Sequence, residues 1–212
     1  RLLLLLATLM LLLVACGGGG LSEADIEQYD KAIRLNPQDA DAYYNRGNAY
    51  VRLGQYERAV QDYDEVIRLN LQDDDAYINR GFAYGRLGQY ERAIQDFDEA
   101  IRLDPQLALA YNNMGVTYSN QGESEKAIGQ FDEAIRLDPQ YSNAYHNMGW
   151  AYWNLEQFER AIQHVEEAIR LVPQFAMAYL YRGLSYNGLG QYGRAIEDLD
   201  EAIRLNPQNG LA

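Results

Sequence analysis

Few residues of the 212-residue chain could carry covalent or metal chemistry, and their spacing does not bring them together. His146 and His164 are the two histidines, and they lie on different predicted helices without the further His or Cys that a zinc site requires. The glycines at 17–20 lack the Lys of a phosphate-binding loop and follow no strand. None of four serines has an adjacent base to activate its hydroxyl: Ser119, Ser124, Ser142 and Ser185. The sequence therefore predicts no catalytic residue, metal ion or cofactor, and it favours a protein that is not an enzyme.

The one cysteine, Cys16, follows a short apolar segment. Leu2 to Val14 is apolar or nearly so and follows Arg1. As a helix this run would be about 20 Å long, too short for a hydrocarbon core of about 30 Å. A basic residue, a short apolar run and small residues after it are typical of a secretory signal peptide. The alternative is an uncleaved anchor beside an incidental free thiol.

The tetrapeptide Leu13-Val14-Ala15-Cys16 resembles the lipobox of bacterial lipoproteins. That resemblance implies cleavage before Cys16 and acylation of the cysteine, with palmitate among the acyl chains. Residues 1–15 would then be a lipoprotein-type signal peptide, and residues 16–21 the lipidated Cys and a Gly-rich tether. The expected location is the cell envelope, lipid-anchored on the extracytoplasmic side, which is periplasmic in a Gram-negative cell. Gly17 stands where this family's inner-membrane retention signal has Asp, which implies the outer membrane.

The charge of the chain argues against two classes of partner. Its formal net charge is −13, from 31 acidic and 18 basic residues. Nucleic acid binding needs a basic surface, and electrostatic docking onto anionic lipid needs basic segments. Much of the acid is predicted on exposed helix faces, where it precedes Arg by four residues in i,i+4 ion pairs. These pairs are Asp30–Arg34, Asp64–Arg68, Asp98–Arg102, Asp132–Arg136, Glu166–Arg170 and Asp200–Arg204.

A repeat organises the rest of the chain. A proline closes it at Pro37, Pro105, Pro139, Pro173 and Pro207, and Leu71 stands in this place once. The period of 34 residues indicates a unit of two helices joined by a turn. A half repeat is predicted at residues 22–39, followed by five full units at 40–73, 74–107, 108–141, 142–175 and 176–209.

Each unit carries two glycine signals. The first helix has Tyr-x-x-x-Gly-x-x-Tyr on one face, as Tyr77, Gly81 and Tyr84 show. Because a glycine inside a helix costs roughly 1 kcal/mol relative to alanine, its recurrence predicts a close approach of two helices. A second glycine ends the first helix in four units. Glu156 replaces it in the fourth, where we expect a slightly different turn.

The aromatic-x-x-x-Gly-x-x-Tyr pattern, followed by Ala, Phe, Ala and Pro at fixed offsets, resembles the tetratricopeptide repeat over residues 22–209. The resemblance implies an all-α fold, a right-handed superhelix of helix pairs. It also implies a concave groove, lined by the first helices, that binds peptides. Departures are Tyr for Trp at the first aromatic position, Arg or Met for Leu before the glycine, and Leu71, Val165 and Leu199 at the proline and phenylalanine positions.

One stripe of each first helix is expected to face this groove. Its members are Tyr44, Asn48, Ile78, Phe82, Asn112, Val116, His146, Trp150, Trp153, Leu180 and Leu184. The members from His146 onward are predicted to form its apolar heart, since Trp is enriched among binding anchors; the alternative is burial against a neighbouring unit. Some family members clamp acidic C-terminal tails with Lys and Arg. The matching positions are not basic, so this specificity is not expected: Tyr44, Asn48, Asn79, Leu109 and Asn113.

The sequence thus predicts a membrane-anchored scaffold that binds a protein or peptide in its groove. Two alternatives stay open: an assembly factor for an envelope machine of the pilus or secretion type, and the anchor part of a longer enzyme. Terminal repeats normally carry a polar capping helix. None follows the last unit in this sequence, so we expect either that the natural chain continues or that this flank associates with another copy.

Overall fold

The computed structural model describes residues 23–207, with side chains from Ile26 onward. Every regular element in this range is an α-helix, which confirms the all-α prediction of about five helix pairs after a single helix. The signal peptide, Cys16 and the tether lie outside the described residues. The helices are α1 (Glu23–Leu35), α2 (Ala40–Arg52), α3 (Tyr56–Leu69), α4 (Asp74–Arg86), α5 (Tyr90–Leu103), α6 (Ala108–Asn120), α7 (Ser124–Leu137), α8 (Ser142–Asn154), α9 (Phe158–Leu171), α10 (Ala176–Gly188) and α11 (Tyr192–Leu205).

The described residues divide into two compact units, residues 23–69 and residues 70–207. The division falls beside Leu71, where the closing proline is missing. In the first unit α2 packs on α1 and on α3, around the fully buried ring of Tyr63. Asp39 caps α2 by accepting a hydrogen bond from the backbone N–H of Ala42 at 3.0 Å.

In the second unit each first helix, α4, α6, α8 and α10, packs on the second helix that follows it. The second helices α5, α7 and α9 also pack on the next first helix, so the pairs form one continuous stack. Alanines at the crossings are fully buried and let the helices approach closely: Ala93, Ala127, Ala144, Ala161 and Ala178. Large side chains such as Phe97, Phe131 and Met148 occupy the space between them.

The glycine inside each first helix is required by close packing, as predicted. A Cβ at Gly81 would lie 2.8 Å from Cε1 of Phe97, and a Cβ at Gly115 would lie 2.5 Å from Cε1 of Phe131. At Gly149 the same atom would collide with Cγ2 of Val165. The missing side chain therefore makes room for the large residue of the paired second helix.

The turn after each first helix contains one residue in the left-handed conformation. Glu156 is no exception, so the expectation of a different turn there is wrong. Glu156 has φ 57°, close to the 72° of Gly88 and the 80° of Gly122. Its backbone N–H donates to the carbonyl of Trp153 at 2.9 Å, as that of Gly122 donates to Ser119 at 3.0 Å. The two helices that flank the turn impose the same geometry in every repeat. Glu156 is therefore held in the left-handed conformation, which is strained for a residue with a side chain.

Glycine at position 156 is expected to stabilise the protein. Relief of the left-handed strain is worth about 1–2 kcal/mol, less the greater freedom of glycine in the unfolded chain, so we expect a gain of about 0.5–1 kcal/mol. Urea unfolding of Glu156→Gly measures it. The reverse change, Gly122→Glu, is the matched control and should lose a similar amount. Equal stability of all three proteins would show that the turn is not strained.

The ion pairs on the second helices differ from the predicted i,i+4 spacing. In the structure the arginine of each second helix from α3 to α11 binds the glutamate three residues earlier, as in Glu99–Arg102 at 2.6 Å and Glu133–Arg136 at 2.8 Å. In α5, α7 and α11 the predicted partner, an aspartate four residues before the arginine, is wrong, because the longer glutamate side chain reaches the guanidinium along the same turn. The pairs lie on exposed faces, where solvent screening leaves them little effect on stability.

A buried ion pair joins the two helices of three repeats. Arg46 contacts Asp62 in the first unit, and in the second unit Arg80 contacts Asp96 and Arg182 contacts Asp198. Each arginine binds both carboxylate oxygens, with distances of 2.6–2.9 Å. The corresponding positions hold uncharged side chains in the two middle repeats, namely Met114 with Gln130 and Met148 with His164. Arginine and aspartate are thus present together or replaced together.

The last helix, α11, leaves a row of apolar side chains exposed, including Tyr192, Ile196 and Ile203. In the inner repeats the equivalents Ile94 and Ile101 pack against the next repeat. Self-association through this row stays a prediction, which light scattering would test. Across residues 23–207, no helix combines the length and the apolar character needed to cross a membrane.

Candidate functional site

The first helices of the second unit present one residue per repeat along a common line. Neighbouring first helices are in contact, α4 with α6, α6 with α8, and α8 with α10. The line consists of Phe82, Val116, Trp150 and Leu184, all of which are at least partly accessible. Phe82 is 37% exposed, which is unusual for a phenylalanine inside a helix. We call these four residues the apolar row.

Three of the four helices that carry the apolar row are nearly free of charge; the exception is α4, which has two acidic residues in its first turn and two arginines. Neither α6 nor α8 contains an Asp, Glu, Lys or Arg, and α10 contains only Arg182, which is occupied by Asp198. The second helices α5, α7 and α9 carry both signs of charge. The acidic excess of the chain is therefore kept off α6, α8 and α10, but not off α4. Comparing the two helices of each repeat in the sequence would have shown this segregation.

A cavity of about 200 Å³ opens between α4 and α6. Phe82, Phe97 and Val116 give it apolar walls, and Gly85 forms part of its floor. Its other lining residues are Arg86, Asn113, Thr117 and Asn120. Two members of the apolar row thus meet in one concavity, as expected for a small binding pocket.

The cavity exists because Gly85 has no side chain. A Cβ at Gly85 would lie 3.7 Å from Oγ1 of Thr117 and 4.0 Å from Cβ of Ala93, so there is room for a larger residue. In the other repeats the same position holds Val51, Ser119, Trp153 and Asn187. Trp153 uses its bulk to pack edge-on against Tyr181, with 6.1 Å between ring centroids.

The two predicted groove residues of the first unit both engage Tyr63. The rings of Tyr44 and Tyr63 meet edge to face with centroids 6.1 Å apart. The hydroxyl of Tyr63 donates a hydrogen bond to Oδ1 of Asn48 at 2.7 Å. Burial raises the pKa of Tyr63 above the range of an ordinary tyrosine.

Two predicted groove residues of the second unit are buried, and for them the prediction is wrong. Ile78 is 2% exposed and packs with Ala100 and Ala110, and Asn112 is 5% exposed. Asn112 accepts a hydrogen bond from Nδ2 of Asn147 at 2.9 Å. Their line lies one turn before the apolar row, where the next first helix covers it. Leu180, on the same line in the last repeat, stays partly accessible.

His146 belongs to the packing between α8 and α10 and is only partly accessible. Its ring lies 4.8 Å from that of Phe175 and 5.3 Å from that of Tyr181, measured between centroids. Nδ1 is buried and has no hydrogen-bond partner among the described residues. Burial lowers the pKa of His146 to about 4, because the imidazolium would be poorly solvated there.

His146 should make the protein sensitive to acid. The unfolded chain binds a proton near pH 6.5, but the folded protein does so only near pH 4, so stability is full above pH 6.5 and falls as the pH drops towards 4. We expect a loss of about 2 kcal/mol between pH 8 and pH 5 from this residue. His146→Leu, which copies Leu180, should remove that loss in urea titrations. His164, whose pKa burial also lowers, is kept in both proteins. If the stability of the wild type and of His146→Leu fell in parallel as the pH dropped, His146 would not be the source of the acid sensitivity.

His164 stacks on Tyr152, with 5.2 Å between centroids and 9° between ring planes. It is not part of a metal site, since residues 23–207 contain no cluster of three His, Cys, Asp or Glu side chains placed to hold a metal ion. The structure thus assigns both histidines to packing.

Stacked helix pairs of 34 residues define a helical-repeat protein. Family models described as TPR repeat match residues 19–54, 47–88 and 86–122, and two described as tetratricopeptide repeat match residues 107–174 and 146–210. The chain belongs to the tetratricopeptide repeat family, whose fold is that of a protein interaction scaffold. No curated protein sequence matches it significantly.

Several solved structures are similar in fold. A crystal structure of MamA has a TM-score of 0.65 at 25% identity, covering 81% of this chain and 93% of MamA. YrrB, described as a TPR protein with an unusual peptide-binding site, has a TM-score of 0.62 at 25% identity, covering 88% of this chain and 96% of YrrB. The APC/C hetero-tetramer Cut9-Hcn1 has a TM-score of 0.77 at 22% identity, covering 86% of this chain and 36% of that chain, and shows the fold alone.

Proposed function

We propose that this protein is a non-enzymatic scaffold that binds a segment of another protein across the first helices of its second unit. The observation that carries the proposal is the apolar row, whose helices α6 and α8 contain no charged side chain. Packing alone would not keep Phe82 exposed, and contiguous accessible apolar surface usually marks a binding site.

The chemistry of this face favours an uncharged, apolar segment. An ionic partner would gain little from α6 and α8, which offer no charged side chain. The amides of Asn113 and Asn120 beside the cavity can donate to and accept from a peptide backbone. The similar protein YrrB, described as having a peptide-binding site, supports a peptide as the kind of partner.

Selection from a random peptide library tests the proposal. We expect peptides rich in large apolar residues, with binding lost when Phe82, Val116, Trp150 and Leu184 are all replaced by Asn. Asparagine is a reasonable choice because Asn48 occupies this position in the first repeat. The matched control replaces exposed apolar residues elsewhere, Tyr192→Asn with Ile196→Asn on α11. Peptides that bind the row variant as well as the wild type would place function elsewhere.

We propose further that Cys16 anchors the scaffold to the cell envelope. The support is the lipobox-like Leu13-Val14-Ala15-Cys16 after a short apolar run. Stable anchoring takes more than one acyl chain, which a lipoprotein cysteine provides. In a bacterial host, labelled palmitate should enter the wild type but not Cys16→Ala, and the variant should leave the membrane fraction. An unlabelled wild type would contradict the anchor and leave the scaffold proposal intact.

A further inference from the structure

The cavity between α4 and α6 selects one residue of the bound segment. Resting on the proposed function, we infer that it takes a single large uncharged side chain, such as Leu or Phe, of a peptide that lies along the apolar row. The second unit thus recognises one residue of the peptide, which we call the anchor residue.

The size of the cavity suits such a side chain. It measures about 200 Å³, and an apolar cavity of about 150 Å³ is known to hold benzene. A phenyl ring or an isobutyl group therefore fits, and a methyl group would leave most of the space empty. Unfilled space forfeits contacts, so small residues bind weakly there.

The walls discriminate against charged anchors. Phe82, Phe97 and Val116 offer no partner to a carboxylate or an ammonium group, and burying an unpaired charge is costly. Arg86 is the one charged residue of the lining; it already interacts with another residue of the protein, and its positive charge disfavours Lys and Arg. The hydroxyl of Thr117 donates to the carbonyl of Asn113 at 2.9 Å, so that donor is already used.

Charge over the rest of the chain points to the same occupant. The net charge is −13, which disfavours an acidic segment. The neighbouring helix α6 is uncharged, which gives a basic segment no partner on that helix. A neutral segment with one large apolar residue is neither repelled by the acidic chain nor in need of an ionic partner on α6.

Gly85 provides a variant that closes the cavity and keeps the fold. Gly85→Trp copies Trp153 of the fourth repeat, and Gly85→Ser copies Ser119 of the third and leaves most of the space open. Both replace a glycine inside a helix, which raises helix propensity. The backbone at residue 85 accepts either side chain without strain, because Gly85 does not have a positive φ.

The test uses blocked amino acids, N-acetyl-X-methylamides with X as Leu, Phe, Ala, Asp or Lys, titrated while the methyl resonances of Val116 are followed. We expect Leu and Phe to bind at least about tenfold more tightly than Ala, Asp and Lys, as burial of a large apolar side chain predicts. Gly85→Trp should abolish the shifts, and Gly85→Ser should keep affinity within about threefold. Preference for Asp, or unchanged binding to Gly85→Trp, would overturn the inference.

The same variants separate this inference from the proposed function. If selected peptides lose affinity in the Asn variant of the apolar row but not in Gly85→Trp, the scaffold proposal holds and the anchor pocket is wrong. If the blocked amino acids bind as expected but no library peptide does, the pocket holds and the proposed function is wrong.

Discussion

Asp198→Ala is expected to lower the free energy of unfolding of the last repeat by about 2–4 kcal/mol. Removing one partner of a buried pair leaves a poorly solvated charge, here Arg182, whose side chain is 20% exposed. Its nearest other acid, Glu166, lies 4.0 Å away on an exposed position and would compensate little. Urea unfolding measures the loss, and amide hydrogen exchange of α10 and α11 locates it.

The middle repeats supply the control for this prediction. Arg182→Met with Asp198→Gln copies Met114 and Gln130 and removes both charges together. Replacing a buried pair by uncharged residues of similar size is often neutral. We expect the double variant to recover to within about 1 kcal/mol of the wild type. A double variant as unstable as Asp198→Ala would show that the pair itself stabilises the repeat.

Gly115→Ala is expected to cost about 1–3 kcal/mol, although alanine is the better helix former. The new Cβ would lie 2.5 Å from Cε1 and 2.8 Å from Cδ1 of Phe131, a fully buried ring. The ring cannot move away without disturbing Met148 and Ala151, with which it packs. Thermal unfolding should show a lower Tm with a similar cooperative transition.

Gly129→Ala gives the opposite expectation in the next helix. Gly129 lies inside α7 on an exposed face, and nothing stands within 4 Å of the added Cβ. The substitution should therefore stabilise by about 0.5–1 kcal/mol through helix propensity alone. If both glycine variants moved stability in the same direction, close helix packing would not explain the recurring glycine.

The glycines show why much of the fold was predictable from sequence. Gly81 and Gly115 recur where a helix former would otherwise be preferred, so only close packing accounts for them. Gly88 and Gly122 mark the turns by the same logic. Glu156 was misjudged because a sequence shows which residue is unsuited to a left-handed turn, but not that the flanking helices impose that turn.

The binding face was predicted only in part, because accessibility depends on the neighbouring repeat. Phe82 and Ile78 are both apolar and one turn apart, and the sequence places both on the groove stripe. The structure exposes Phe82 and buries Ile78 against Ala110 of the next first helix. The cavity was not predictable, since it arises from the absence of a side chain at Gly85. The buried ion pairs could have been predicted from the sequence, because arginine and aspartate are replaced together in the middle repeats.

The most direct test of the central claim uses the two tryptophans of the chain, Trp150 and Trp153, which both lie on α8. A library-selected peptide is titrated while intrinsic fluorescence and calorimetric heat are recorded on the same samples. A segment lying along the apolar row should change tryptophan emission with the same Kd that calorimetry gives, and Leu184→Asn should weaken both. Heat of binding without any change in tryptophan emission would show that the peptide binds elsewhere and would contradict the account.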